Sequence, residues 1–304
     1  KGLSSMLRSA LLRPIILGQF FRYVNRKLGR SHDTGVLKDS DGQVIADDAG
    51  KACLLNTYFN SINVVDDAAC PAFQLRTDGR LDDVSFDANA VRKHCNKMRP
   101  KFSSGPDGYP PFLLKQIGPS IAGIIAQLFQ SFMSIGRVPS DWKQAIIKPL
   151  FKKGASSDPA SYRPISLTSI FSKLMEKIIV EQMLKYLLTN NLISKQQHGF
   201  LSRRSTATNL IESLNDWTVN MENRQGQSVA YIDFAKAFDS VFHPKLLTKL
   251  VAYGIGGVLL NWISDFLTGR SHVTRVGHCL SPIAFITSGV IQGSCLGPLL
   301  FLLY

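Results

Sequence analysis

Apolar residues recur every three to four positions in several stretches of the chain, the spacing of helices with one buried face. Such stretches cover residues 118–135, 167–190, 206–221, 244–253 and 259–267. Two shorter stretches, residues 142–151 and 271–277, predict strands because apolar and β-branched residues are frequent in them. Helices and strands therefore share one chain, as in an α/β or α+β fold.

The region from Gly35 to Ile62 predicts a hairpin followed by a helix. Two short apolar runs flank Asp39-Ser-Asp-Gly42, in which Asp-Gly supplies the positive φ values of a tight turn. Asp47 and Asp48 are suitable N-caps for the helix after them. We assign no chemistry to this hairpin-helix.

Residues 66–87 are rich in aspartate, contain Pro71 and Gly79, and show no sustained periodicity. We interpret them as an acidic linker or loop and place a domain boundary there. The prediction is an upstream part, residues 1–87, with a basic helix, the hairpin-helix and the linker, and a larger domain, residues 88–304.

A candidate catalytic carboxylate follows a third strand-like run, Ser228 to Ile232. This run has the apolar and aromatic residues of a buried strand, and Asp233 ends it. A carboxylate at the mouth of a buried strand must be solvated, paired or bound to a metal. Taken alone, an aspartate in this position is more often a cap of the next helix.

The chain has 304 residues, 45% of them hydrophobic, and a net charge of +13. That charge favours a polyanionic partner, either nucleic acid or an anionic membrane surface. The first segment, Leu3 to Val24, predicts a basic amphipathic helix and superficially looks like a transit peptide. No apolar run is long enough to span a bilayer. The five scattered cysteines indicate neither disulfides nor a zinc site, which favours a reducing intracellular compartment.

Several motifs together resemble the reverse transcriptases of non-LTR (LINE-type) retrotransposons. Asp233-Phe-Ala-Lys-Ala-Phe-Asp239 resembles their motif A, and Ser288-Gly-Val-Ile-Gln-Gly-Ser-Cys-Leu-Gly-Pro298 resembles their motif B, with Ile291 where proline is usual. Arg163-Pro-Ile-Ser-Leu167 also matches. Two weaker matches are Ser104-Gly-Pro-Asp-Gly108, which is a turn on physical grounds alone, and His198-Gly-Phe-Leu-Ser-Arg-Arg-Ser-Thr206, with Leu201 where arginine is usual.

The resemblance implies a right-hand polymerase fold of which this chain holds the fingers and part of the palm. It implies RNA-directed DNA polymerisation by two-metal phosphoryl transfer, with Mg²⁺, or Mn²⁺ as an alternative. The expected partners are an RNA template, a DNA primer and deoxynucleoside triphosphates, with no membrane. The expected location is the cytoplasm and nucleus, and the oligomeric state is open.

The resemblance also implies residue roles. Asp233 would be catalytic and would bind metal with the carbonyl of Phe234. The nucleotide would be bound by residues of three segments: Lys152 and Arg163 at the triphosphate, Phe238 under the sugar, and Gln292 and Gly293 against the nascent base pair. The six basic residues between Arg137 and Arg163 fit the first of these roles, although a charge run is more often a solvated face. Arg203 and Arg204 would contact template phosphates, unless Ser205 simply caps the following helix. His198 is expected to satisfy a local hydrogen bond.

The family's remaining metal carboxylates belong to a Tyr-x-Asp-Asp motif, motif C, which the chain does not reach before Tyr304. The motif C hairpin and the thumb are also absent from it. We therefore expect this chain to be inactive alone. Two alternatives stay open: a truncated noncatalytic nucleic-acid-binding remnant, and a protein like the group II intron maturases. The maturases usually have Gln-Gly-Gly where this chain has Gln292-Gly-Ser294.

Overall fold

The computed structural model describes residues 34–64 and 69–304. Its strands are β1 (Leu37–Lys38), β2 (Val44–Ile45), β3 (Gln144–Phe151), β4 (Tyr162–Leu167), β5 (Arg270–Val276), β6 (Cys279–Leu280) and β7 (Ala284–Ile286). Its helices are α1 (Asp48–Ser61), α2 (Ala88–Lys97), α3 (Pro111–Ile117), α4 (Ala122–Ser134), α5 (Ile170–Thr189), α6 (Thr206–Glu222), α7 (His243–Ala252), α8 (Gly257–Leu267) and α9 (Gly297–Leu303). The helix predicted in Leu3–Val24 lies outside the described residues.

The predicted hairpin-helix is confirmed. β1 and β2 pair antiparallel around a turn in which Gly42 has a φ of +81°, and the Asp39 carboxylate accepts the backbone N–H groups of Asp41 and Gln43. Asp47 caps α1 by accepting from the N–H of Gly50 at 2.7 Å. α1 then packs on the larger sheet, and the two share a small apolar core formed by Leu37, Ala52, Leu55, Phe59, Ile62, Ile147, Tyr162 and Val276.

The larger sheet has five strands, in the order β4-β3-β5-β6, with β7 also paired to β5. β3 and β4 form an antiparallel hairpin, while β3 and β5 run parallel. The sheet therefore joins residues more than one hundred positions apart in sequence, with Ile146 opposite Val273. The strands predicted over residues 142–151 and 271–277 are confirmed. A mixed sheet packed with helices agrees with the predicted α/β (α+β) class.

The main core is helical and lies between α2, α4, α5, α7, α8 and α9. Trp262 of α8 is fully buried, and its ring stacks on Phe266 at 5.3 Å. Phe129 of α4 is also fully buried and contacts Trp142 edge to face. No single helix in the described ranges is long and apolar enough to cross a membrane; α3 and α4 reach that length only together, across a bend of 118°.

Residues 69–87 contain neither a helix nor a multi-residue strand, as predicted. They nevertheless pack closely on the helical core. Val84 and Phe86 are buried in it, and Leu81 forms a parallel bridge with Ile255. The hydroxyl of Tyr186 donates to the carbonyl of Gly79 at 2.8 Å. The segment is thus a structured loop, while the proposed domain boundary at residue 87 stays a prediction.

Candidate active site

The segment that carries Asp233 is the largest difference between the sequence prediction and the structure. Residues 223–242 form no strand, and Tyr231 and Ile232 are 83% and 81% exposed. The prediction of a buried strand at Ser228–Ile232 is therefore wrong. A strand is buried only when neighbouring elements cover its faces and satisfy its backbone hydrogen bonds. None of the described strands pairs with residues 228–232. Its apolar residues remain at the surface.

Asp233 consequently lies in an exposed segment, and the adjacent Phe234 side chain is 72% exposed. A carboxylate and a backbone carbonyl are both hard oxygen donors, and Mg²⁺ is commonly held by only one or two protein carboxylates together with water and substrate phosphates. The donor chemistry of Asp233 and Phe234 therefore suits Mg²⁺. No group of three or more His, Cys, Asp or Glu residues that could hold a metal lies within the described residues.

Phe238 packs against other aromatic rings, whereas Asp233 lies in an exposed segment. Its ring is half-buried and stacks on Phe301 of α9, with ring centres 4.8 Å apart and an angle of 19°. The ring of Phe200 approaches it edge to face at 6.0 Å. The Phe238 carbonyl accepts the N–H of Val290 at 2.8 Å, so the motif A segment is joined to the motif B loop at this residue.

The motif B loop, residues 288–296, connects motif A to β4. The N–H of Ser166 in β4 donates to the carbonyl of Gln292 at 2.8 Å. Gly293 has a φ of +119°, and a Cβ there would lie 2.5 Å from the Ser166 carbonyl oxygen. Only glycine fits such a close approach at this φ. The structure thus links the motif A segment to the motif B loop at Val290, and the same loop to β4 at Gln292 and Gly293.

Lys152 and Arg163 lie at the outer end of the β3–β4 hairpin, and both are exposed. Arg163 pairs with Leu150 across the hairpin, and the N–H of Lys152 donates to the carbonyl of Ser161 at 2.8 Å. Arg163 precedes Ser166 by three residues, about 10 Å along a strand. The two cations therefore share a hairpin with Ser166, which contacts the motif B loop.

Arg203 and Arg204 lie in the turn before α6, away from this group in sequence. Arg203 is exposed and has a φ of +63°. Arg204 is partly buried and donates to the carbonyl of Lys195. Ser205 caps α6 through a capping box with Thr208, as the structural alternative predicted. The cap does not prevent the exposed guanidinium of Arg203 from contacting phosphate.

His198 bonds locally, as predicted. Its Nδ1 is 2.9 Å from the hydroxyl of Thr208, and its Nε2 is 2.8 Å from a carboxylate oxygen of Glu212. Both partners belong to α6, so the buried imidazole joins the preceding turn to that helix. It is thus engaged on both nitrogens and serves the fold.

A cavity of about 50 Å³ lies beneath the motif B loop, and sequence reasoning missed it. Its lining is mixed, and the polar or charged residues in it are Asn63, Ser166, Asp239, Arg270, His272, Ser288 and Gln292. Arg270 donates to the carbonyls of Phe266 and Trp142. Neither ring nitrogen of His272 nor the Gln292 side-chain oxygen has a hydrogen-bond partner in the part of the chain that the structure describes. Burial alternates along β5, with Arg270 and His272 on the inward side, but the sequence Arg-Ser-His-Val-Thr-Arg-Val has no matching hydrophobic alternation that could have revealed them.

Burial controls the ionisation of the groups in this cavity. It lowers the pKa of His272 to about 4 and that of Arg270 to about 10. Burial also raises the pKa of Asp239, against the opposing effect of Lys236. Nearby, burial lowers the pKa of His243, whose Nε2 is 2.8 Å from the Gly289 carbonyl. The region beneath the loop therefore disfavours added charge.

We expect the free energy of unfolding to fall as the pH decreases from 6.5 towards 4, because of His272. The unfolded chain takes up a proton on this residue below about pH 6.5, whereas the folded chain resists it until its pKa of about 4 is reached. The unfolded state therefore binds more protons in this window, and linkage gives a loss of about 2 kcal/mol between pH 7 and pH 5.

Denaturant unfolding at pH 7, 6 and 5 measures this loss. His272→Leu removes the titrating group and is expected to remove most of the decrease. His278→Leu, at an exposed histidine just after β5, is the matched control. An equal decrease in the wild type and His272→Leu would contradict the assignment.

The sequence is similar to those of polymerases of mobile elements. A family model described as reverse transcriptase (RNA-dependent DNA polymerase) matches residues 150–304. The "RNA-directed DNA polymerase from mobile element jockey" of Drosophila funebris is 29% identical over 215 residues, which cover 70% of this chain and 23% of that protein. The protein of the same name from Drosophila melanogaster is 35% identical over 178 residues, 58% of this chain and 19% of that protein.

A third relative is the "Retrovirus-related Pol polyprotein from type-2 retrotransposable element R2DM" of Drosophila melanogaster. It is 25% identical over 239 residues, which cover 77% of this chain and 22% of that protein. The chain thus spans between about a fifth and a quarter of the length of these three relatives.

Proposed function

The chain belongs to the reverse transcriptase (RNA-dependent DNA polymerase) family, and we propose that it is part of the RNA-directed DNA polymerase of a non-LTR retrotransposon. The names of its relatives support this assignment, since jockey and R2DM are mobile elements. In this proposal residues 88–304 are the fingers and part of the palm of a right-hand polymerase. The reaction adds deoxynucleotides to a primer on an RNA template.

The observation that carries the proposal is the meeting of three segments that the sequence separates widely. Phe238 accepts a hydrogen bond from Val290, and Ser166 donates one to Gln292, each at 2.8 Å. A sugar platform, a base-pair loop and a basic hairpin are the parts that a nucleotide addition site needs, because each recognises a different portion of one nucleoside triphosphate. A plain scaffold would have no need for this combination.

Each residue then has a defined role. Arg163 and Lys152 neutralise the triphosphate, because phosphoryl transfer requires cations along the transferring group. The Phe238 ring lies under the sugar and rejects a 2'-hydroxyl. Gln292 and Gly293 pack against the nascent base pair, where glycine permits close backbone approach.

Asp233 and the Phe234 carbonyl hold Mg²⁺ at the reacting end of the nucleotide in this proposal. When bound, the ion would stabilise the negative charge that develops during phosphoryl transfer. Arg203 and Arg204 contact template phosphates, which contributes affinity but no sequence preference.

Primer extension on an RNA template, with Mg²⁺ and deoxynucleotides, tests the proposal. The 304-residue chain is compared with a version extended through the reading frame that follows residue 304 in its gene. We expect the extended version to lengthen the primer and to lose this activity in EDTA. We expect the 304-residue polypeptide to be silent, since it carries only one of the family's metal carboxylates.

The alternative outcome is RNA binding without polymerase activity. If the extended version is silent but binds RNA, with an affinity that falls steeply as salt increases, the chain is a noncatalytic nucleic-acid-binding remnant. The exposed Asp233 segment favours this second function, because nothing in the described ranges covers it.

A further inference from the structure

A buried carboxylate contacts the motif B loop from below, and no motif points to it. Glu176, on α5, is fully buried. Its Oε2 accepts the backbone N–H of Cys295 at 2.6 Å and that of Leu296 at 3.1 Å, and its Oε1 accepts the hydroxyl of Ser172 at 2.9 Å. We propose that Glu176 is a positioning residue, which holds the loop that presents Gln292 and Gly293 to the incoming nucleotide. The nucleotide part of this inference rests on the proposed function.

A carboxylate in this position is costly, so its presence needs a reason. No salt bridge of the described residues involves Glu176, and it has no exposure to water. Burying a charge without a counter-ion is unfavourable unless hydrogen bonds compensate it. An apolar residue would fill the same core position more cheaply, but it could not accept the two loop N–H groups.

The loop is attached to its surroundings at its first part, its middle and its end, and Glu176 holds the end. Its first part is tied to the motif A segment through the N–H of Gly289 and the carbonyl of Val241, 2.7 Å apart. Its middle is tied to β4 by the bond between Ser166 and Gln292. Its end is held by Glu176 alone among charged side chains of the described residues.

The loop residues that Glu176 holds are only a few positions from Gln292 and Gly293. Cys295 follows Gln292 by only three positions, a span of at most about 10 Å. The hydroxyl of Ser294 donates to the Ile291 carbonyl and accepts the N–H of Gly297, which closes these residues into a compact turn. A shift at Cys295 therefore moves Gln292, since the turn between them has little slack.

The Cys295 thiol lies next to the Glu176 carboxylate and is kept neutral by its surroundings. Burial raises the pKa of the Cys295 thiol to about 12, and the Glu176 charge adds to this effect. The thiol therefore stays neutral. Among the described residues, Glu176 is the only carboxylate that accepts hydrogen bonds from the loop end.

Three variants of Glu176 separate the explanations. Glu176→Met removes both acceptors while keeping the volume. Glu176→Gln keeps an amide oxygen for the two N–H groups and can donate to the Ser172 hydroxyl, so it preserves the pattern without the charge. Glu176→Asp keeps the charge but withdraws the oxygens, and it replaces the methionine variant if that protein does not fold. Met183→Ala, two turns further along α5 and fully buried, is the matched control for lost stability.

The first measurement is hydrogen–deuterium exchange of residues 290–298 in the 304-residue chain, which needs no polymerase activity. We expect exchange at least about tenfold faster in Glu176→Met, and unchanged in Glu176→Gln and Met183→Ala, because the two N–H groups lose their acceptor only in the first variant. Unchanged exchange in Glu176→Met would overturn the proposal.

The second measurement is the KM for deoxynucleotide in the extended version of the protein. We expect Glu176→Met to raise the KM about tenfold with little change in kcat, and Glu176→Gln to restore it, because a displaced loop weakens nucleotide binding. The positioning role would be refuted if Met183→Ala, at a similar loss of melting temperature, raised the KM as much as Glu176→Met does. It would also be refuted if Glu176→Gln were as impaired as Glu176→Met. If neither the wild type nor any variant extends a primer, the proposed function fails, and the role of Glu176 in nucleotide binding fails with it. Hydrogen–deuterium exchange still decides whether Glu176 holds the loop.

Discussion

Asp233→Ala reduces primer extension by about a thousandfold or more in a version of the protein that extends primers. A metal ion contributes several kcal/mol of transition-state charge stabilisation, and about 4 kcal/mol corresponds to a factor of roughly a thousand. Asp233 is the metal carboxylate that the proposal assigns to this chain. Its exposure means that the substitution removes few packing contacts, so folding is expected to survive.

Single-turnover primer extension measures this loss, because it isolates the chemical step from primer release. Asp216→Ala is the control, since Asp216 is likewise an exposed aspartate and lies on the neighbouring α6. Thermal unfolding of both variants checks that they fold. Activity within tenfold of the wild type in Asp233→Ala would remove this residue from the catalytic machinery and leave motif A without a chemical role.

Phe238→Ala lowers the preference for deoxynucleotides over ribonucleotides by about 10- to 100-fold. The ring would exclude the 2'-hydroxyl of a ribonucleotide and leave it without hydrogen bonds, which costs about 1–3 kcal/mol. Stacking on Phe301 and the edge contact from Phe200 hold the ring in one place. A fixed ring can discriminate where a mobile one would move aside.

The ratio of kcat/KM for a deoxynucleotide to that for the matching ribonucleotide is the quantity to measure. Phe301→Leu is an informative companion, because it removes the stacking partner while leaving Phe238 in place. We expect a smaller loss of preference there than in Phe238→Ala. An unchanged ratio in Phe238→Ala would mean that another residue recognises the sugar.

Much of the fold is encoded locally and is therefore predictable. The turn at Gly42, the Asp47 cap and the helices at 122–134, 170–189 and 206–222 depend on interactions between residues a few positions apart. Turn and cap preferences have a direct steric or hydrogen-bonding cause at each such position. The motifs that indicate the family are likewise continuous stretches, so they are visible without any structure.

The failures occur where a residue's environment is supplied by distant segments. Ser228–Ile232 has the composition of a strand, yet composition does not supply a pairing partner, and the segment stays exposed. Residues 69–87 lack periodicity because they are a loop, but Val84 and Phe86 are buried in the core through contacts with remote helices. Exposure is a property of the neighbours as much as of the residue.

The sequence by itself determined the family, the order of the motifs and the residue types that the proposed reaction uses, namely a carboxylate, an aromatic ring, a basic hairpin and a glycine loop. Only the tertiary structure decided that Phe238 bonds to Val290 and Ser166 to Gln292, that His272 is buried without a hydrogen-bond partner among the described residues, and that Glu176 accepts two N–H groups 119 and 120 residues away. Glu176 does share a helical stripe with Ile179 and Met183, which is a signal of burial. The identity of its partners depends on how helices and strands pack, and that packing is a sum of many contacts between residues far apart in sequence.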